Sequence, residues 1–407
     1  MVKDILDNLV LEKGAFGNVA KEGHGYITFP KLTGKLGSRM MFNGKEKIVW
    51  SLNDYLGLAT DPEIAKSDAE LAQEYGMAYP MGSRIMSGNQ EAHEKLERDL
   101  ADFVGKEAAM LFNFGYQGVF SSIDALLTRR DVVIYDEESH ACIMDGVRLH
   151  LGKRMVFKHN DIDHLEQQLL KAEKLADKTN GGILVISEGV FSMKGEQGKL
   201  KEIVALKERF KFRLFIDDAH GFGVLGKRGS GAAEEQGVID GIDFYFSTFA
   251  KSMASIGAFI AADKKVIEYF YYNIRSQVFA KSLPIVLTKG AINRLDKLKK
   301  DDFRREKVWN TAHALRDGLS NIGFNVGKSE SPITPVYFSG SIDVARRTLI
   351  SLREEHNIFC SGVIYPVVPK GTILFRLVST ANHSEEDISE TIAAFSAVKA
   401  QEVQRTS

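Results

Sequence analysis

From about residue 95 onward, short apolar runs alternate with amphipathic stretches. Ala108–Phe112, Val132–Tyr135, Met155–Lys158, Ile183–Ser187, Arg213–Asp217, Phe244–Ser247 and Ala258–Ala261 are short runs rich in Val, Ile, Phe, Met and Ala. Runs of that length bounded by polar residues predict buried strands. Between several of them, Asp163–Ala176 and Leu200–Phe210 repeat their apolar residues at helical period. Strand–helix alternation of this kind predicts a parallel, doubly wound α/β sheet. Residues 1–50 predict a helix followed by short strands, with a turn at Asn43-Gly44. After about residue 290 the pattern changes to a charged helix around Leu298–Asn310 and scattered strands at Ile333–Phe338 and Ile373–Val378. The expected organisation is therefore an N-terminal segment (1–50), a large mostly parallel-sheet domain (51–290) and a smaller C-terminal α+β domain (291–407).

Composition narrows the class without naming it. At 407 residues, 44% hydrophobic and 26% charged, the chain has the make-up of an ordinary globular protein larger than one small core. A formal net charge of -1 gives no overall field for nucleic acid and leaves at most peripheral membrane contact. The longest apolar stretch, Ala254–Ala262, is too short to span a bilayer. The acidic start, Met1-Val-Lys-Asp-Ile-Leu-Asp, lacks the apolar segment of a signal peptide. Two cysteines, Cys142 and Cys360, offer neither a disulfide framework nor a metal cluster, so the expected setting is a reducing cytoplasm.

Four strand ends carry candidate chemistry. Lys251 follows an apolar run and precedes small residues ending at Gly257. Burial there favours the neutral amine that Schiff-base chemistry requires; the plainer alternative is a surface lysine at a strand end. Asp217 closes another run, with His220 three residues on. A carboxylate so placed can hold the pyridine nitrogen of pyridoxal 5'-phosphate (PLP) protonated, and His220 can reach the ring's phenolic oxygen. The alternatives are a capping Asp with an incidental His, or a metal site from Asp217, Asp218 and His220. In Asp136-Glu-Glu-Ser-His140, His140 is placed to stack on a cofactor ring, against an i,i+4 metal pair with Asp136. Asn113-Phe-Gly115-Tyr116-Gln117 opens a helix whose backbone N–H groups suit a phosphate. Gly221-Phe-Gly223-Val-Leu-Gly226 matches a dinucleotide fingerprint, but Lys-Arg-Gly-Ser-Gly follows it where a helix is required, so that reading is rejected.

Taken in order, these blocks resemble the α-oxoamine synthases of PLP fold type I, the aspartate aminotransferase-like fold. That family includes serine palmitoyltransferase, 8-amino-7-oxononanoate synthase, 5-aminolevulinate synthase and glycine C-acetyltransferase. The resemblance runs from about Ile48 to the end. It is carried by Asn53-Asp-Tyr-Leu-Gly-Leu58, Gly82-Ser-Arg84 through His93 to Glu97, Phe114-Gly115-Tyr116, Asp136 to His140, Glu188-Gly-Val-Phe-Ser192-Met, Asp217 to His220 followed by Lys251, and Arg376 to His383.

The resemblance implies a PLP-dependent acyltransferase that condenses a small amino acid, with decarboxylation, with an acyl thioester carried on coenzyme A or acyl-carrier protein. It implies that Lys251 forms the Schiff base and moves the Cα proton, Asp217 pairs with the pyridine nitrogen, and His140 stacks on the ring. His220 and Ser192 would address the phenolic oxygen. Thr248 and the amides near Gly115 and Tyr116 would hold the phosphate, and Arg376 with Asn53 the substrate carboxylate. It also implies a homodimer with shared sites, in which Arg275–Ser282 reaches the partner's phosphate.

Several positions depart from the family pattern. Ala250 and Ala280 stand where hydroxyls are usual, Ser192-Met-Lys194-Gly-Glu196 replaces Ser-Met-Asp-Gly-Asp, and Tyr79-Pro80-Met81 occupies a normally glycine-rich stretch. Overall similarity to serine palmitoyltransferase points to a long-chain donor and a lipid-base product. Lys194, Lys281 and Lys370 are cations beyond the pattern, and one of them next to the amino acid would favour cysteate over serine. The competing expectations are another α-oxoamine synthase, an aminotransferase or aldolase of the same fold type, a non-catalytic partner subunit, and a metal hydrolase.

Overall fold

A computed structural model describes residues 4–10, 23–338, 342–363, 368 and 372–406. Its strands are β1 (Arg39–Phe42), β2 (Lys45–Val49), β3 (Ala108–Phe112), β4 (Val132–Asp136), β5 (Lys153–Phe157), β6 (Ile183–Glu188), β7 (Arg213–Asp217), β8 (Phe244–Thr248), β9 (Ala258–Ala262), β10 (Ile333–Tyr337), β11 (Ile358–Phe359), β12 (Ser361–Val363) and β13 (Leu374–Val378). The central sheet has seven strands in the order β3-β9-β8-β7-β6-β4-β5. It is parallel from β8 to β5, and β9 runs antiparallel to both its neighbours. The sheet is thus mostly parallel, as expected, with β9 the one reversed strand. Residues 249–257 return the chain directly from β8 into β9 with no crossover helix, and such a short link can join only antiparallel neighbours.

Both faces of the sheet are buried, which is why its strands are continuous apolar runs. On β7, Leu214 and Ile216 enter one core layer and Phe215 the other. By strand parity Asp217 falls on the Phe215 side, where helices Gly115–Leu126 and Ala141–Leu149 pack. The large sheet thus presents the C-terminal ends of β3, β4, β6, β7 and β8 along one edge, the place where open α/β sheets bind ligands.

Two small sheets complete the molecule: β1-β2-β11 and β10-β13-β12. The β1–β2 hairpin turns at Asn43 and Gly44, with φ of 49° and 77°, as the Asn-Gly signal predicts. β2 pairs in parallel with β11, so Ile48 and Trp50 share a core with Leu315, Leu352 and Phe395. Within residues 4–10 the expected N-terminal helix is a single 3-10 turn at Leu6–Asn8. The expected charged helix over Leu298–Asn310 is instead two, Ile285–Lys300 and Asp302–Asn321. Asp301 ends the first and caps the second, its carboxylate accepting from the Arg304 amide at 3.2 Å. The first of these helices also runs across residue 290, and its Ala291, Leu295 and Leu298 join the core beneath the large sheet. Leu200–Phe210 is helical only to Ala205, followed by a 3-10 turn at Leu206–Glu208.

Candidate active site

Five of the blocks singled out in the sequence fall at or just beyond strand ends on the ligand-binding edge. Gly115 follows β3, His140 follows β4, Glu188 ends β6, Asp217 ends β7, and Thr248 ends β8 with Lys251 three residues further. They meet at a cavity of about 330 Å³, whose wall includes Asn53, His140, Asp217, His220, Thr248 and Lys251. Gly115 and Tyr116 line it too, at the start of helix Gly115–Leu126. A Cβ on Gly115 would stand 3.1 Å from the Thr248 side chain, so glycine lets this helix start lie close against β8. The amides of the first helical turn therefore open into the cavity beside a hydroxyl. His140 sits on the open side, and the apolar ring of Phe114, 58% exposed, lies beside it.

Electrostatics at the floor favour a neutral amine. Desolvation lowers the Lys251 pKa, and Arg376 adds to that effect, while Asp217 and Glu188 oppose it. Glu188 is pushed well above the usual carboxylate range, first by burial and then by Asp217. Its Oε1 accepts from the His140 amide at 2.5 Å, which fixes the backbone that carries the histidine ring. Asp217 Oδ1 accepts from the Ala219 amide at 3.1 Å, and Cys142 Sγ lies 3.7 Å from Oδ2. Burial raises the Cys142 thiol, so it stays protonated and can donate.

Neither metal alternative survives the geometry. Asp218 faces away from the cavity, accepting from the Ala232 amide at 2.8 Å and the Tyr245 hydroxyl at 2.9 Å. Asp136 is bound to His159 Nδ1 at 3.0 Å and to the Asn160 amide at 3.0 Å rather than to His140. Among the described residues, no group of three or more His, Cys, Asp or Glu is arranged to hold a metal ion. Gly223 and Gly226 have φ of 88° and 81°, and residues 227–231 directly after them are non-helical, in agreement with rejecting a dinucleotide loop.

The expected carboxylate-binding pair lies at the rim. Arg376, on β13, donates through Nε to the Ser192 carbonyl at 2.6 Å and through Nη2 to Asn53 Oδ1 at 3.3 Å. Ser192 is thus held through its backbone, and its carbonyl orients the arginine. Ala250 lines the cavity and Lys281 is exposed, its carbonyl accepting from Asn113 Nδ2 at 2.7 Å. Lys194 is paired with Glu138. Lys370 lies outside the described residues. Two residues given no role in the sequence reading emerge here. Tyr55, fully buried, bonds His220 Nδ1 at 2.7 Å, and Glu188 shares the floor with Asp217. Both sit inside motif blocks already singled out, and that was their only signal.

A mostly parallel sheet with a depressed-pKa lysine and an aspartate at adjoining strand ends is the architecture of PLP fold type I. The chain belongs to the aminotransferase class I and II family, whose model matches residues 45–395. It is 56% identical over 398 residues to a cysteate-C-fatty acyltransferase of Capnocytophaga ochracea, covering 98% of this chain and 95% of that one. It is 32% identical over 397 residues to a serine palmitoyltransferase of Bacteriovorax stolpii, covering 98% and 92%. Among solved structures, a serine palmitoyltransferase from S. paucimobilis with a bound PLP–myriocin aldimine superposes with a TM-score of 0.89 at 28% identity, covering 98% and 99%. Among the described residues, no helix is long and apolar enough to cross a membrane.

Proposed function

We propose that this chain is a PLP-dependent acyltransferase that condenses cysteate with a long-chain acyl thioester, releasing CO2 and a 2-amino-3-ketone lipid base; serine is the runner-up substrate. The observation that carries it is the 56% identity to a cysteate-C-fatty acyltransferase across 98% of the chain. The cavity supports it residue by residue. PLP, when bound, supplies an electron sink that acidifies the amino acid's Cα–H.

The chain's own groups would do the rest. The first-turn amides at Gly115 and Tyr116, with Thr248, hold the phosphate at a helix start. Asp217 holds a proton at the pyridine nitrogen. His140 covers the ring from the open side, and His220 meets the phenolic oxygen. Lys251, whose pKa burial lowers, would anchor the cofactor covalently and later take the Cα proton. Arg376 and Asn53 hold the substrate carboxylate. A second copy of the chain would cover the open side, where Phe114 lines the cavity and is 58% exposed; Met86 and Phe279, 82% and 78% exposed, are further apolar surface for it.

The structure narrows the choice of cation for a sulfonate. Lys194 already has a carboxylate partner, which leaves Lys281 and Lys370. The test is competition between L-cysteate and L-serine, with wild type, Lys281→Ala and Lys370→Ala. Preference for cysteate that falls by about ten- to a hundredfold in one variant supports the reading, a change of roughly 1.4–3 kcal/mol. Equal or better use of serine by the wild type overturns the cysteate assignment.

A further inference from the structure

His220 lines the cavity, and like Tyr55 and Arg376 it is buried, the three having 7%, 0% and 8% of their surfaces exposed. Tyr55 comes from the segment after β2, His220 from the end of β7, and Arg376 from β13, so three distant parts of the chain are joined. The Tyr55 hydroxyl and His220 Nδ1 are 2.7 Å apart. Burial pushes the phenol's pKa up to about 12, with the positive charge of Arg376 working against it; the arginine's own hydrogen bonds go to the Ser192 carbonyl and Asn53 Oδ1.

Which partner donates follows from the chemistry. The Tyr55 hydroxyl is fully buried. The phenol's own proton must then find an acceptor, because a buried O–H without one is strongly disfavoured. His220 Nδ1 is the acceptor within reach. An imidazole whose Nδ1 accepts carries its proton on Nε2. Burial, reinforced by Lys251, Arg376 and His140, keeps this ring neutral, so it has a definite tautomer.

We propose that Tyr55 is a positioning residue that fixes His220 as the Nε2–H tautomer, the one that would donate to the cofactor's phenolic oxygen. The inference rests on the PLP reading above.

The first arm of the test needs no cofactor. In 15N-histidine-labelled apoprotein, with His220 assigned by a His220→Gln variant, wild-type His220 should show a bare Nδ1 and a protonated Nε2, and Tyr55→Phe should give mixed tautomers. A protonated Nδ1 in the wild type, or an unchanged tautomer in Tyr55→Phe, overturns the proposal. The second arm uses holoenzyme. Tyr55→Phe keeps the packed ring and should move the pH midpoint of the visible cofactor band; an unmoved midpoint would overturn the proposal. A wild type that gains no borohydride-sensitive visible band with PLP would sink the cofactor reading instead, and the apoprotein result would still stand.

Discussion

Two histidines separate the two ways this protein handles buried charge. His220, in the cofactor cavity, is pushed well below its ordinary pKa by burial and by nearby cations. His159, a short way along the same sheet edge, is raised to about 9, although burial there works against the charge. The difference is the company each keeps. His159 bonds Asp136 at 3.0 Å and Glu196 at 2.9 Å, with Glu138 at 3.8 Å, and Lys194 closes the cluster on Glu138. His220 faces a phenol and shares its cavity with Lys251. Desolvation wins where counter-charges are sparse and loses where carboxylates bond directly to the ring. The cavity therefore keeps its nitrogens neutral and reactive, while the cluster ties the loop before His140 to the loop after Ser192 with permanent charges.

The largest effect that would break this contrast is expected at Lys251. Lys251→Ala should cost at least about a thousandfold in turnover and abolish the borohydride-sensitive visible band. Its far-UV circular dichroism should match the wild type. Retention of more than about a thousandth of the activity would remove the lysine from its covalent role. Asp217→Asn should come next, slowing Cα–H exchange by roughly a hundredfold with little change in amino-acid affinity. Near-normal exchange would show that the carboxylate is not what holds the ring nitrogen protonated.

The cluster should answer to pH rather than to catalysis. The folded protein holds the His159 proton up to about 9, whereas the unfolded chain releases it near the ordinary value of about 6.5. Its contribution to stability is thus complete below about 6.5 and is lost as pH rises through about 9. His159→Gln should lower Tm by a few degrees at pH 6.5 and flatten the fall in Tm between pH 7 and 10. An unchanged slope would mean that the carboxylates do not hold the proton. The smallest effect is expected for Cys142→Ser. The thiol is protonated and only a weak donor to Asp217, so activity should change less than about threefold. A large loss would place the sulfur in the chemistry.

Much of the site could be read from the sequence because its parts are local: a polar residue at a fixed offset after an apolar run. That pattern located Asp217, His140, Gly115 and Lys251, and strand limits agreed closely at β3 and β7. What could not be read depends on direction or distance. The apolar run of β9 has the composition of its parallel neighbours and carries no mark of reversal. The break at Asp301 turns on one capping bond inside a charged helical pattern. Tyr55 could not be assigned a partner, since His220 lies 165 residues away, nor could Lys194, whose Glu138 lies 56 residues back.

The pairing of Asn53 with Arg376 spans 323 residues. The two are brought together because β2 zips onto β11 and the Val378 amide bonds the Trp50 carbonyl at 2.8 Å, with Trp50 stacked on His383 at 3.8 Å. On the ribosome the large sheet has all its strands once residue 262 has emerged, but its early segment must wait for the last strands of the chain. A nascent or truncated chain can thus own a complete cofactor floor and still be unable to grip an amino acid. Maturation of the substrate clamp is the final act of synthesis, and a C-terminal deletion would uncouple cofactor loading from substrate recognition.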